Sequence, residues 1–79
     1  MIKLYQYAEC PFCERVRQKL AQLKLPYEKV EVDPANKPQL VKDLGGTVPV
    51  IDDDGMTMRE SLDIVAYLEK KYGAGQATA

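Results

Sequence analysis

Polar and apolar residues alternate from Ile2 to Tyr7, and the run carries two tyrosines, so it predicts a first strand placed centrally in a sheet. After Pro11 the period changes. Cys13, Val16, Leu20 and Leu23 recur at steps of three and four, with Arg15, Arg17, Lys19 and Gln22 elsewhere, which predicts an amphipathic helix from Pro11 to Lys24. Leu25-Pro26 stops it, because a residue before proline avoids the helical region. Phe12 lies off the apolar stripe and is read either as an exposed aromatic contacting substrates or as packed beneath a neighbouring loop. Tyr27 to Val32 predicts a second strand, with Val30 and Val32 on one face and Lys29 and Glu31 on the other, the charge pattern of an edge. Strand, helix and strand in this span make a right-handed βαβ unit with parallel strands.

Asp33-Pro34 and Lys37-Pro38 then punctuate the chain. A short helix is predicted from Pro38 to Leu44, burying Leu40, Val41 and Leu44 and ending at the left-handed cap Gly45-Gly46. Thr47 to Ile51 reads as a strand opened by Pro49, and Asp54-Gly55 turns it into a hairpin with Met56 to Met58. A proline there, beside a reactive site, suggests a cis Val48-Pro49 bond, although cis is a minority state of only about 5–6% of such bonds. A last helix is predicted from Ser61 to Tyr72, burying Leu62, Ile64, Val65 and Leu68, with Lys70 and Lys71 in its final turn and Gly73 beyond. Ala74 to Ala79 reads as a frayed tail.

Composition narrows the function. At 79 residues the chain is expected to be one domain, near the lower size at which a core forms unaided. The net charge of −1, with acids and bases mixed, leaves no basic run to track phosphates, which argues against nucleic acid. No apolar run approaches a membrane span, and Met1 leads into a strand rather than a signal sequence, so a cytosolic protein is expected. Thiols are kept reduced there, and a close cysteine pair is more suited to cycling than to bracing.

The chain has two cysteines, both in Cys10-Pro11-Phe12-Cys13, where a strand hands over to a helix. Pro11 suits the first helical position, so Cys10 falls at the N-cap and Cys13 one turn in. There a Cys10 thiolate can accept the amides of Phe12 and Cys13, with the positive end of the helix dipole behind them. Such thiolates form one to several units below the ordinary thiol value of about 8.5 and attack disulfides. Cys10 is therefore the attacker and Cys13 the resolver. Two blander readings compete. Half a zinc site would need further ligands, and there are no other cysteines and no histidines; a pair of buried core cysteines fits poorly with the intervening proline.

With Cys-Pro-aromatic-Cys after the first strand and Thr47-Val48-Pro49 before the third, the order resembles the glutaredoxins of the thioredoxin-fold superfamily from Met1 to about Gly73. Glu60-Ser61-Leu62-Asp63-Ile64 followed by Tyr67-Leu68 further resembles the N-terminal glutathione-binding domain of two-domain glutaredoxins and glutathione transferases. The resemblance implies an α/β thioredoxin/glutaredoxin fold, βαβ-α-ββα with a four-stranded mixed sheet flanked by helices, over residues 1–73. The helical second domain of such proteins has no counterpart in this sequence, so a stand-alone small domain is expected. It also implies glutathione as co-substrate, in a groove beside Cys10 whose residues are Tyr7, Pro11, Phe12, Val48, Pro49, Glu60 and Ser61. The backbone of Val48 would pair with the cysteinyl unit of glutathione. Ser61 and the amides opening the last helix would take its γ-glutamyl carboxylate, and Glu60 its ammonium; Glu60 and Ser61 also read as an ordinary helix cap.

Two departures stand out. Many glutaredoxins carry a lysine three residues before the first cysteine and a basic or amide residue shortly before Thr-Val-Pro. Here these are Tyr7, which fits the transferase-like branch, and Gly45-Gly46. The glycine carboxylate of glutathione is left to Lys37, Gln39 or Lys42. Glu9 would raise the Cys10 pKa, and Arg15 is expected to offset it.

The leading expectation is a monomeric glutathione-dependent thiol-disulfide oxidoreductase acting on glutathionylated or disulfide-bonded proteins, with no metal, no membrane and no nucleic acid. The alternatives are a redoxin fed by a flavin reductase and a non-enzymatic glutathione or iron-sulfur module. Transferase chemistry on electrophiles ranks lower, since the helical domain normally completes that site.

Overall fold

Period-two patterning makes the first strand the hub, because its residues serve both faces of the sheet in turn. The computed structural model describes residues 1–73, so the tail expected over 74–79 lies outside the described residues. The elements are β1 (Ile2–Gln6), α1 (Pro11–Gln22), β2 (Tyr27–Glu31), α2 (Gln39–Asp43), β3 (Val50–Asp53), β4 (Met56–Arg59) and α3 (Ser61–Leu68), which continues into a π-helical turn over Glu69–Gly73. β1 pairs parallel with β2 and antiparallel with β3, and β4 pairs antiparallel with β3, giving the order β2-β1-β3-β4. This is the βαβ-α-ββα arrangement, with β1 inside and β2 at an edge, that the sequence predicts.

Ile2 and Leu4 point to the side of α1 and α3, where they meet Val16, Leu20, Leu23, Ile51, Ile64 and Leu68. Tyr5 points the other way. With Tyr7 it packs on a smaller cluster of Val32, Val41 and Val50, to which α2 contributes Val41. Burying a side chain such as Leu4 or Leu20 stabilises the fold by about 2 kcal/mol each, and the two clusters fix β1 between two layers.

Several boundaries differ from expectation. α1 stops at Gln22 rather than Lys24, because Lys24 turns into the left-handed region at φ 55°. The amide of Leu25 then donates to the carbonyl of Leu20, closing the end as a glycine cap would. β3 begins at Val50 rather than Thr47 and runs to Asp53, since Pro49 has no N–H for the ladder. The Val48-Pro49 bond is cis. In α2 only Val41 is fully buried, while Leu40 and Leu44 are half-buried against the smaller cluster. The expected burial of Leu62 is overturned: it is 65% exposed. The inward stripe of α3 is Ser61, Ile64 and Leu68, at steps of three and four, and Leu62 stands about 100° round the helix from it.

The last helix changes character after Leu68, and Asp53 supplies the reason. Its carboxylate, 2% exposed, accepts from the hydroxyls of Tyr67 and Tyr72, each at 2.7 Å, and from the Lys71 ammonium at 2.9 Å. Residues 67 and 71 share a face of an α-helix, whereas residue 72 joins them only when the turn widens to a five-residue step. The π turn therefore gathers three donors on one acid. Burial raises the Asp53 pKa, but the hydroxyls of Tyr67 and Tyr72 and the ammonium of Lys71 together bring it below the usual carboxylate value.

A depressed folded-state pKa stabilises above the unfolded value of about 4, and that stability is lost as pH falls through the lower folded value. Asp53→Asn is expected to cost about 2 kcal/mol at neutral pH and to flatten the acid limb of stability, as read by urea unfolding from pH 7 downwards. An unchanged acid limb would remove Asp53 as its source.

Candidate functional site

The break between β1 and α1 builds the reactive corner. Tyr7, Ala8 and Glu9 carry the chain off the sheet, and Pro11 starts the helix with its missing N–H where none is needed. Cys10 is the N-cap residue, at φ −82° and ψ 122°, and its carbonyl accepts the Glu14 amide at 2.9 Å. The Cys10 amide donates to the Tyr7 carbonyl at 3.3 Å. Cys10 is partly exposed, Cys13 is buried and both are free thiols.

The two sulfurs have opposite acidities. No capping hydrogen bond is made by the Cys10 thiol, but the groups around it favour its ionised form. Partial burial pushes its pKa up, and the Cys13 amide and thiol, the Phe12 amide and the charge of Arg17 bring it below the ordinary value. Burial drives Cys13 the other way, to about 11, helped by the Cys10 sulfur and opposed by the Tyr7 amide and Arg17. An exposed sulfur that ionises first stands beside a buried one that holds its proton. Arg17, rather than Arg15 as expected, is the cation that favours the thiolate.

Next to this corner lies a groove of about 340 Å³. Phe12 and Arg15 form its α1 side, Thr47, Val48 and Pro49 its floor, and Glu60, Ser61 and Leu62 the opening of α3. Three stretches far apart in sequence thus meet because α1 and α3 lie on the same side of the sheet while the β3 approach runs between them. Phe12, 55% exposed, takes the exposed alternative of its two readings, and Leu62 joins it as a second apolar wall.

Of the residues singled out in the sequence, Phe12, Val48, Pro49, Glu60 and Ser61 line this groove. Cys10 and Cys13 do not form its wall; Cys10 adjoins it through Phe12, two residues on. Tyr7 is half-buried against the Val32–Val41–Val50 cluster and reaches the cysteines by its backbone, and Pro11 is exposed at the helix start. Thr47, Arg15 and Leu62 are lining residues that the pattern did not assign to the site.

Glu60 adopts φ 72°, a left-handed conformation that costs a non-glycine residue about 1–3 kcal/mol and that clusters at functional sites. Its side chain makes no cap bond to the first turn and reaches instead to within 4.0 Å of Arg59. The α3 amides are thus not closed by their own N-cap side chain, which weakens the ordinary-cap reading of Glu60. Ser61, 6% exposed, opens the helix from inside. Of the candidates for a distant carboxylate, Gln39 donates to Asp43 at 2.7 Å, while the Lys37 amine lies 3.6 Å from the place a side chain on Gly46 would begin. Among the described residues no group of three or more potential metal-binding acids or cysteines converges, and no helix is long and apolar enough to cross a membrane.

Comparisons with known proteins agree with this architecture. The family model for the glutathione S-transferase N-terminal domain matches residues 4–76. Glutathione S-transferase DHAR2 of Arabidopsis thaliana is 41% identical over 66 residues, covering 81% of this chain and 31% of that protein. The crystal structure of Chlamydomonas reinhardtii dehydroascorbate reductase superposes with a TM-score of 0.80 at 34% identity, over 91% of this chain and 39% of the other. That of rice GST1 in complex with glutathione gives 0.85 at 29% identity, over 92% and 34%. The chain thus spans well under half the length of these relatives. Its sheet order, cysteine corner, groove and matched residues together place it in the glutathione S-transferase N-terminal domain family.

Proposed function

We propose that the protein is a glutathione-dependent thiol-disulfide oxidoreductase in which Cys10 is the nucleophile and Cys13 the resolving thiol. What supports this reading is the geometry of the pair: Cys10 is partly exposed at the N-cap of α1, two residues before the groove-lining Phe12, and Cys13 is buried one turn on. Their surroundings lower the pKa of the first and push the second up to about 11. A conjugating transferase has no use for the second thiol. Disulfide exchange does.

Glutathione fits the groove by its chemistry. The Val48 backbone offers an edge for the cysteinyl unit. Ser61 and the open α3 amides suit the γ-glutamyl carboxylate, Glu60 its ammonium, and Lys37, beside the glycine-lined approach to Thr47, the carboxylate at the far end. The Cys10 thiolate attacks the glutathione sulfur of a mixed disulfide, the S–S bond breaks, and the substrate thiolate leaves and takes a proton. A second glutathione thiolate then attacks the Cys10-bound sulfur, releasing glutathione disulfide and restoring the Cys10 thiolate. With a full protein disulfide, Cys10 instead forms a mixed disulfide with the protein. Cys13 loses its proton as it attacks, the substrate departs as a dithiol, and the Cys10–Cys13 disulfide remains for two glutathiones to reduce. Potentials of about −200 to −230 mV, typical of glutaredoxins, lie close to the glutathione couple and let the direction follow the cellular poise.

Two experiments test this. Turnover of a glutathionylated peptide is expected to vanish in Cys10→Ser and to survive in Cys13→Ser, which should instead lose reduction of a protein disulfide; activity retained by Cys10→Ser would end the assignment. Steady-state titration with glutathione should show Ser61→Ala raising KM by about tenfold, as for one lost hydrogen bond to a charged group, with Cys10 alkylation kinetics in the absence of glutathione unchanged. An unaltered KM would move the γ-glutamyl end elsewhere.

A further inference from the structure

Arg17 does not line the groove, and its contacts outside α1 run to the end of β1 and to the turn before Cys10. It sits one helical turn after Cys13, and side chains on a helix lean toward its N-terminus, so its head is carried back over the loop. Its side chain is only 15% exposed. One nitrogen donates to the Gln6 side-chain oxygen at 2.7 Å and, at a longer 3.5 Å, to the Tyr7 carbonyl. Another donates to the Ala8 carbonyl at 3.2 Å, and Glu14 braces the fork at 2.7 and 2.9 Å. From the opposite side Glu31, on β2, accepts the Ala8 amide at 2.7 Å and the Gln6 side-chain amide at 3.3 Å. Residue Ala8 is therefore gripped on both sides, the N–H of the Tyr7–Ala8 peptide by Glu31 and the C=O of the Ala8–Glu9 peptide by Arg17. The residue before it meets both cysteines: the Tyr7 carbonyl accepts the Cys10 backbone amide, and the Tyr7 amide faces the Cys13 sulfur.

We propose that Arg17 and Glu31, linked through Gln6, are positioning residues that clamp the Tyr7–Ala8 turn and thereby hold Cys10 over the mouth of α1. The proposal deepens the oxidoreductase reading and rests on it for its consequence in turnover. Arg17 supplies a fork as well as a charge, and Glu31 supplies a clamp whose charge has the wrong sign to favour a thiolate. That difference in sign separates positioning from simple electrostatics. The charged groups facing the turn are Arg17 and Glu14 from α1 and Glu31 from β2, with Glu9 within the loop and Lys29 acting on Glu14.

The test follows the pH dependence of Cys10 alkylation by iodoacetamide, located by mass spectrometry, in the whole chain and in Arg17→Lys, Arg17→Met and Glu31→Ala, with turnover of a glutathionylated peptide measured alongside. Folding is checked by circular dichroism. Positioning requires the Cys10 pKa to rise by several tenths of a unit or more in Glu31→Ala, and Arg17→Lys to restore at most part of the shift seen in Arg17→Met, because an ammonium lacks the fork. Turnover is expected to fall about tenfold in Arg17→Met, the scale of one pKa unit. A Cys10 pKa that is unchanged or lowered in Glu31→Ala, or one fully restored by Arg17→Lys, would overturn the clamp and leave Arg17 a mere charge. If the parent chain reduces no glutathionylated peptide while the pKa shifts appear as stated, the clamp stands and the oxidoreductase reading falls. Should Arg17→Met not fold, Glu31→Ala and Arg17→Lys carry the test.

Discussion

The structure depends on a sulfur placed at the N-terminus of a helix that begins where the central strand ends. A helix leaves its first amides without internal partners, and here the residue that meets them is a cysteine rather than a serine or aspartate. The usual stabilising cap is thereby replaced by a group whose charge state can change. What remains of the chain keeps that replacement tolerable. β1 is pinned between two apolar clusters, α1 is anchored through Val16, Leu20 and Leu23, and the loop joining them is held by hydrogen bonds rather than by its own conformational preference.

The two cysteines show how a small difference in depth divides chemistry. Both lie within one turn of the same helix and both respond to Arg17. The partly exposed one gains from helix amides, while the buried one loses more to desolvation than its neighbours return. At the opposite end of β3, Asp53 shows the other solution for a buried polar group, with three donors collected by a widened helical turn. One end of the domain is saturated with partners and the other presents a sulfur to solvent. Stability and reactivity are thus separated along the length of the sheet.

The elements, the central β1, the edge β2 and the β3–β4 hairpin were legible because strand and helix periods alternate cleanly, whereas the antiparallel pairing of β1 with β3 has no local signal. The candidate groove was legible where a motif carried it: Phe12, Val48, Pro49, Glu60 and Ser61 line it, and Cys10 lies two residues before Phe12. Other features depend on three-dimensional neighbours. Leu62 looks like core in composition but faces the groove, because the stripe of α3 is set by Ile64 and Leu68. The π turn after Leu68 follows from Asp53, which is 19 residues before Tyr72 and gives no local signal. Arg17 could have been separated from Arg15 by its spacing from Cys13, since side chains lean back by one turn, but only the loop's actual path shows what it grips.

The proposal turns on a Cys10 whose surroundings lower its pKa below that of an ordinary thiol, beside a groove proposed to take glutathione. Alkylation of Cys10 followed as a function of pH, with and without a non-reactive glutathione analogue such as S-methylglutathione, tests both parts together. The Cys10 reaction is expected to titrate below the ordinary free-thiol value of about 8.5, with Cys13 unreactive until far higher pH and the analogue protecting Cys10 at saturating concentration. A Cys10 that titrates at or above that value and is indifferent to the analogue would contradict it.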